Sequence, residues 1–196
     1  MKAVIRTLSD CREREGALPA LAALRIEVFR AWPYLYDGSE AYEAHYLAEF
    51  MAAAGSVLVV AEVEGAIVGA ATASPMAGQK AEFRAPFEQC GLDTDALFYF
   101  GESVLKPRFH GLGIGHGFFD AREGAARAAG ASAATFCAVI RPQDHPLRPD
   151  DARDLHPFWR ARGYTPVEGL TCSFDWKDLD QTEETAHSMQ FWMHGL

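Results

Sequence analysis

The stretch LKPRFHGLGIGHGFFDAREGAA, residues 105–126, decides how the chain is read. Gly111, Gly113, Gly115 and Gly117 alternate immediately before a helix-forming run. Several backbone N–H groups can therefore point outward, unobstructed by side chains, at the positive end of a helix dipole. That arrangement is an anion cradle. A P-loop would need Gly-Lys-Ser/Thr after its spacer, and none is present. The dinucleotide pattern G-x-G-x-x-G also fails, because the sixth position counted from Gly111, Gly113 or Gly115 is His116, Phe118 or Asp120.

Working outward, ALFYFGESVLKP at 96–107 reads as a central strand ended by Pro107, and FFDAREGAARAAG as a helix with an apolar stripe of Phe118, Ala121, Ala125 and Ala129. ASAATFCAVI at 131–140 is a buried-type strand, so the unit is strand, glycine turn, helix, parallel strand. Upstream, SVLVVAEV at 56–63 and AIVGAATASPM at 66–76 are joined by Glu64-Gly65, a tight hairpin signal. The front quarter reads as a strand at 2–8, a helix over 18–31 and a second helix capped by Ser39 and stopped at Gly55. The polar stretch 77–95 reads as a connection. Downstream of a proline-rich loop come a short helix around LHPFWRARG, the strand GLTCSFDW, a charged turn and a last strand-like run HSMQFWM. The expectation is an α/β fold: one mixed, mostly antiparallel sheet with a single parallel pair and helices on both faces. Residues 1–196 read as a single domain, its segments 1–55, 56–140 and 141–196 carrying the front helices, the sheet with the turn, and the terminal hairpin.

The composition narrows function by exclusion. With 18 Lys plus Arg against 27 Asp plus Glu, the net charge of −9 has the wrong sign for nucleic acid or anionic membrane partners. An acidic envelope favours cationic ligands such as amines, although acidity for solubility alone is the more common reason for it. The four cysteines, Cys11, Cys90, Cys137 and Cys172, form no C-x-x-C pair, and His145, Asp150, Asp151 and His156 meet no ligand spacing, so no metal is expected. The N-terminal residues break into charge before any signal-peptide run, which makes the cytoplasm the expected location. The SMQFWM run is an inner strand or a homodimer contact.

The turn and its flanks resemble the GNAT superfamily of acyl-CoA N-acyltransferases, whose signature reads V-x-P-x-x-R-G-x-G-I-G. Leu105 falls at the V, Pro107 at the P, His110 at the Arg, and Gly111, Gly113, Ile114 and Gly115 at the G-x-G-I-G. The element order also matches that fold, and FWRARGY resembles its late F-Y-x-x-x-G-F. The resemblance implies an acetyl-CoA-dependent N-acetyltransferase with direct transfer to a primary amine on a small molecule or peptide. It implies that the backbone of Gly111, Leu112, Gly113, Ile114, Gly115 and His116 binds the coenzyme A pyrophosphate, that Val104 and Leu105 hold pantetheine by main-chain hydrogen bonds, and that the Leu105 N–H stabilises the tetrahedral oxyanion. His110 departs from the family's Arg or Gln; it donates to a phosphate or merely packs at the strand end.

An amine arrives protonated, so transfer needs a base and, later, a proton for the leaving thiolate. Glu102 lies in the apolar run FYFGESVLK, where a carboxylate has little structural reason to be, and is the general-base candidate, directly or through water. Its competing reading is a salt-bridged carboxylate at a bulge beside Gly101. The family's usual acid, a Tyr, is replaced by Trp159, leaving Tyr34, Tyr36, His145, Tyr164 or water. Trp32, Tyr34 and Tyr36, with Tyr42, Asp37, Glu40 and Glu43, make either an acceptor wall for a cationic amine or simple loop packing. The alternative function is a non-catalytic acyl-CoA-binding or sensor module of the same fold.

Overall fold

The computed structural model describes residues 2–196. Strand β1, Val4–Leu8, leads to Asp10, whose carboxylate accepts from the N–H groups of Arg12 and Glu13 at 2.9 and 3.1 Å and starts helix α1, Cys11–Phe29. The expected start near residue 18 is therefore a correction. Pro19 sits inside the helix; it costs one internal hydrogen bond but does not stop a helix that is capped upstream and buries Ala17, Leu21 and Leu24. Helix α2, Glu40–Ala52, has the expected cap, with Ser39 accepting from the Tyr42 N–H at 3.3 Å.

Strands β2, Val57–Val63, and β3, Ala66–Pro75, form the expected hairpin, with Glu64 and Gly65 both at positive φ as a primed turn requires. The stretch read as a connection contains a third helix, α3, Ala81–Gln89. Pro86 and the lack of a side-chain cap hid it; what holds it is tertiary, Phe83 and Phe87 packing on Tyr99, Phe174 and Phe191 at 4.5 to 4.8 Å between rings. Strand β4, Leu97–Leu105, helix α4, Ile114–Ala128, and strand β5, Ala133–Val139, make the one parallel unit. Helix α5, His156–Ala161, precedes β6, Thr165–Trp176, and β7, Thr185–Gly195.

The seven strands run in the order β1-β2-β3-β4-β5-β7-β6, antiparallel except for β4 with β5. β7 is thus an inner strand, and β6 forms the outer edge. Successive residues of β2 face opposite ways: Leu58 and Val60 pack under α1 and α2, whereas Val59 and Ala61 pack under α4. The inward stripe of α4 is Phe118, Phe119, Arg122, Glu123 and Ala126, in place of the alanine stripe read from hydropathy, and Ala129 is exposed. Two charged residues occupy positions where periodicity expects apolar ones.

β4 carries a bulge. Ala71 pairs with Ser103 but Ala73 with Phe100, so Gly101 and Glu102 together face Thr72. The extra residue moves Glu102 onto the α1/α2 face with Val104, although simple alternation from Phe98 and Phe100 would aim it at α4. Gly101 is required there, because a Cβ would lie 2.4 Å from Thr72 Oγ1. Gly101→Val is expected to destabilise by about 1–3 kcal/mol; an unchanged denaturation midpoint would contradict this geometry.

Candidate active site

The parallel pairing of β4 with β5 lasts only from Leu97–Tyr99 against Ala133–Thr135. Beyond Tyr99 the two strands part, and the C-terminal half of β4 has no partner on that side. Which of its groups face the gap follows from alternation. The Lys106 N–H donates to Val68 O at 3.0 Å, toward β3, so Val104 is also turned to β3, while Ser103 and Leu105 present N–H and C=O to the open edge. Leu105 therefore offers a free amide. Val104 instead contributes a fully buried side chain to the core, and Ser103 is the other residue of the open edge.

The strand ends at Leu105, Pro107 starts a single 3-10 turn, and the chain then reaches α4 through Gly111 and Gly113, both left-handed at φ 76° and 80°. These two glycines supply conformation, and a Cβ at either would meet nothing within 4 Å, so there is open space over the turn. α4 has no side-chain cap, leaving the first-turn amides, including those of Gly115 and His116, available to an anion. A phosphate fits this cradle. The alternating glycines are not equivalent, however: Gly117 allows α4 to approach β1, since a Cβ there would lie 2.2 Å from Ile5 Cδ1. The His110 side chain returns to the strand, its Nε2 donating to Leu105 O at 3.2 Å, so it caps the open edge. Leu112 is exposed on the turn, and Ile114 is buried beneath it.

Glu102 is buried, and its Oε2 accepts from Arg25 Nη1 at 2.8 Å and from the Tyr46 hydroxyl at 3.3 Å. Arg25 in turn donates through Nε to Glu43, which is fully buried. Its guanidinium lies 4.2 Å from the Tyr46 ring centroid and 5.1 Å from that of Phe29. Burial by itself would lower the Arg25 pKa, but Glu102, Tyr46 and Glu43 together hold it above the ordinary value. One guanidinium between two carboxylates leaves the cluster one negative charge in excess. Glu102 Oε1 and Glu43 Oε1 are both buried without a hydrogen-bond partner. Sequence reading missed Arg25 and Tyr46; the available signal was an arginine beside Leu21 and Leu24 on the inward face of α1.

The loop between α1 and α2 is tied to the end of β6 and to Arg141, which donates from Nε to Pro33 O at 2.8 Å and from Nη2 to Tyr34 O at 2.7 Å, while Nη1 meets Asp178 at 2.6 Å. Tyr34 packs between Phe29 and Trp176, its ring centroid 4.6 and 5.9 Å from theirs, and Trp32 lies 5.4 Å from His145. Tyr36 is half-buried against Tyr42 and near Glu43; burial and that carboxylate push its hydroxyl pKa up. Asp37 is bound to Lys177 at 2.6 Å, which with Arg30 lowers its pKa. Packing accounts for Tyr34, while Tyr36 stands beside the carboxylate cluster. Tyr164 is fully buried beneath α4 among Phe100, Phe119 and Phe136 and donates to Glu123 at 3.2 Å, and burial raises its pKa. Trp159 packs against Phe136 and Trp192, both at 5.0 Å. Among the described residues no group of three or more His, Cys, Asp or Glu is arranged to hold a metal ion, and no helix is long and apolar enough to cross a membrane.

No family model matches the chain, and a search of curated protein sequences likewise finds no match. Solved structures do match. The chain is similar to a ribosomal-protein-alanine N-acetyltransferase from Brucella melitensis, at 17% identity and a TM-score of 0.62, over 98% of this chain and 99% of that one. It is similar to an acetyltransferase of the GNAT family from Streptococcus pneumoniae, at 10% identity and a TM-score of 0.60, over 100% of both chains. An aminoglycoside 6'-N-acetyltransferase complexed with coenzyme A matches at 15% identity and a TM-score of 0.58, over 98% of this chain and 96% of that one. With the splayed parallel pair, the bulge in β4 and the glycine turn, these matches identify the fold of the chain as that of the GNAT acetyltransferases.

Proposed function

We propose that this protein transfers an acyl group, acetyl in the simplest case, from a coenzyme A thioester to a primary amine. The observation that carries the reading is the open C-terminal half of β4, with a free Leu105 amide at its end and an uncapped glycine turn following it. The backbone of Gly111 to His116 binds the pyrophosphate, and Ser103 and Leu105 bind pantetheine by main-chain hydrogen bonds. Leu105 N–H donates to the oxygen on which charge develops when the amine attacks the thioester carbonyl. The free Oε1 of Glu102 takes the amine proton, directly or through one water, and the excess negative charge of the Arg25 cluster draws the ammonium in. Collapse of the adduct breaks the C–S bond, and the thiolate takes its proton from water. Of the three aromatics of the α1–α2 loop, Tyr36, beside Glu43, faces the acceptor, while Trp32 and Tyr34 shape the loop by packing.

A second reading, a non-catalytic acyl-CoA-binding module, is favoured by the bond that ties Glu102 Oε2 to Arg25. Initial rates of thiol release from acetyl-CoA over a broad amine panel separate the two. Amine-dependent release supports transfer; binding of acetyl-CoA with no release over the whole panel supports the module.

A further inference from the structure

Arg122 is a buried arginine that the transfer reaction does not use. It stands between Phe118 and Ala126 in the inward stripe of α4 and is 1% exposed. The other buried arginine, Arg25, holds two carboxylates; Arg122 makes no ion pair among the described residues. Its Nε donates to Phe118 O at 3.2 Å, its Nη1 reaches Thr72 O at 3.4 Å, and its Nη2 is buried without a partner. The guanidinium is wedged against Phe100 and Phe119, at 4.5 and 4.9 Å from their ring centroids. Burial pushes its pKa down to about 10, which still leaves it charged at neutral pH. A buried cation with no direct ion pair is expensive even with Glu102 and Glu123 acting on it through space, and a leucine or methionine would fill the slot without that desolvation.

Its two contacts with the sheet explain the expense. Thr72 is the β3 residue that faces the bulge, and Phe100 is the β4 residue immediately before it. The guanidinium therefore touches both strands of the irregularity from the α4 side, while Arg25 pairs with Glu102 from the α1 side. Two arginines bracket the bulge, one on each face of the sheet.

We infer that Arg122 is a positioning residue of the reacting edge, holding the β4 bulge in the shape that turns Glu102 to the acceptor face and leaves the Ser103 and Leu105 amides open. The inference rests on the acyl-transfer reading for its consequence, but the bulge itself can be tested without turnover. Wild type, Arg122→Met and Arg122→Lys are compared by thermal unfolding, hydrogen exchange of the Val104 and Lys106 amides that are turned to β3, and steady-state kinetics. Arg122→Met is expected to stay folded, since methionine fills the slot and removes a buried group that makes no ion pair. Its Val104 and Lys106 amides should exchange about tenfold faster or more while those of β2 do not change. Its kcat should fall about tenfold or more with the KM for acetyl-CoA unchanged, and Arg122→Lys should lie between the two. A folded Arg122→Met with wild-type exchange at Val104 and Lys106 and wild-type kcat would overturn the inference. Should Arg122→Met fail to fold, Arg122→Lys decides by the same exchange readout. A wild type that never consumes acetyl-CoA would defeat the transfer reading alone, because the exchange comparison still reports on the bulge.

Discussion

Glu102→Gln is expected to lower amine acylation by about 100-fold or more while acetyl-CoA still binds, because a positioned base contributes roughly 10²–10⁴ and an amide cannot accept the proton. The fold should survive the change. Glu43 still neutralises Arg25, and the amide oxygen of glutamine still accepts from Arg25 Nη1. The loss should appear in kcat at saturating acetyl-CoA, measured as thiol release with whichever amine the wild type accepts. A Glu102→Gln protein that acetylates at the wild-type rate would remove Glu102 from the chemistry. It would leave Glu102 as the counter-ion of Arg25, the competing reading that its sequence context already offered.

The largest effect on stability is expected from Arg25→Met. It leaves Glu43 and Glu102, two buried carboxylates, without their shared cation. Removing one partner of a buried pair typically costs about 3–5 kcal/mol. In a domain of this size that corresponds to a fall of roughly 6–20 °C in unfolding temperature. The triple variant Arg25→Met, Glu43→Gln, Glu102→Gln removes all three charges and should recover most of the loss, because the penalty lies in the uncompensated charges. A single variant as stable as wild type would show that the cluster is not closed in solution. The same cluster explains how α1, α2 and β4 are held in register around the acceptor side.

The strand, glycine turn, helix and strand of the parallel unit were legible because each signal is local: Pro107 ends a strand, left-handed glycines open a helix, and β-branched runs mark buried strands. α3 was not, because its support is three aromatic contacts made across the fold by Phe83 and Phe87. The start of α1 was misplaced for a related reason. Pro19 carries a strong local stop signal that the Asp10 cap and the burial of Leu21 and Leu24 override. Glu102 was singled out as a carboxylate in an apolar strand, but its partners were out of reach of a linear reading. Arg25 lies 77 positions earlier and is brought to it only by packing of α1 on β4. Val104 and Leu105 looked alike in sequence, whereas strand alternation gives only Leu105 a free amide. The inward Arg122 was invisible because hydropathy assigns a charged residue in a helix to the solvent face.

The central claim is that the glycine turn and the open edge of β4 hold a coenzyme A thioester, and thermal unfolding tests it without knowledge of the acceptor. The protein is unfolded alone and with acetyl-CoA, coenzyme A, ATP or NADH. Ligand at 100 times its dissociation constant adds about 2.7 kcal/mol, and about 1 kcal/mol moves a domain of this size by roughly 2–4 °C. A rise of roughly 5–10 °C with acetyl-CoA and coenzyme A, but not with NADH, is the predicted result. No shift with saturating acetyl-CoA, or an equal shift with ATP or NADH, would contradict it.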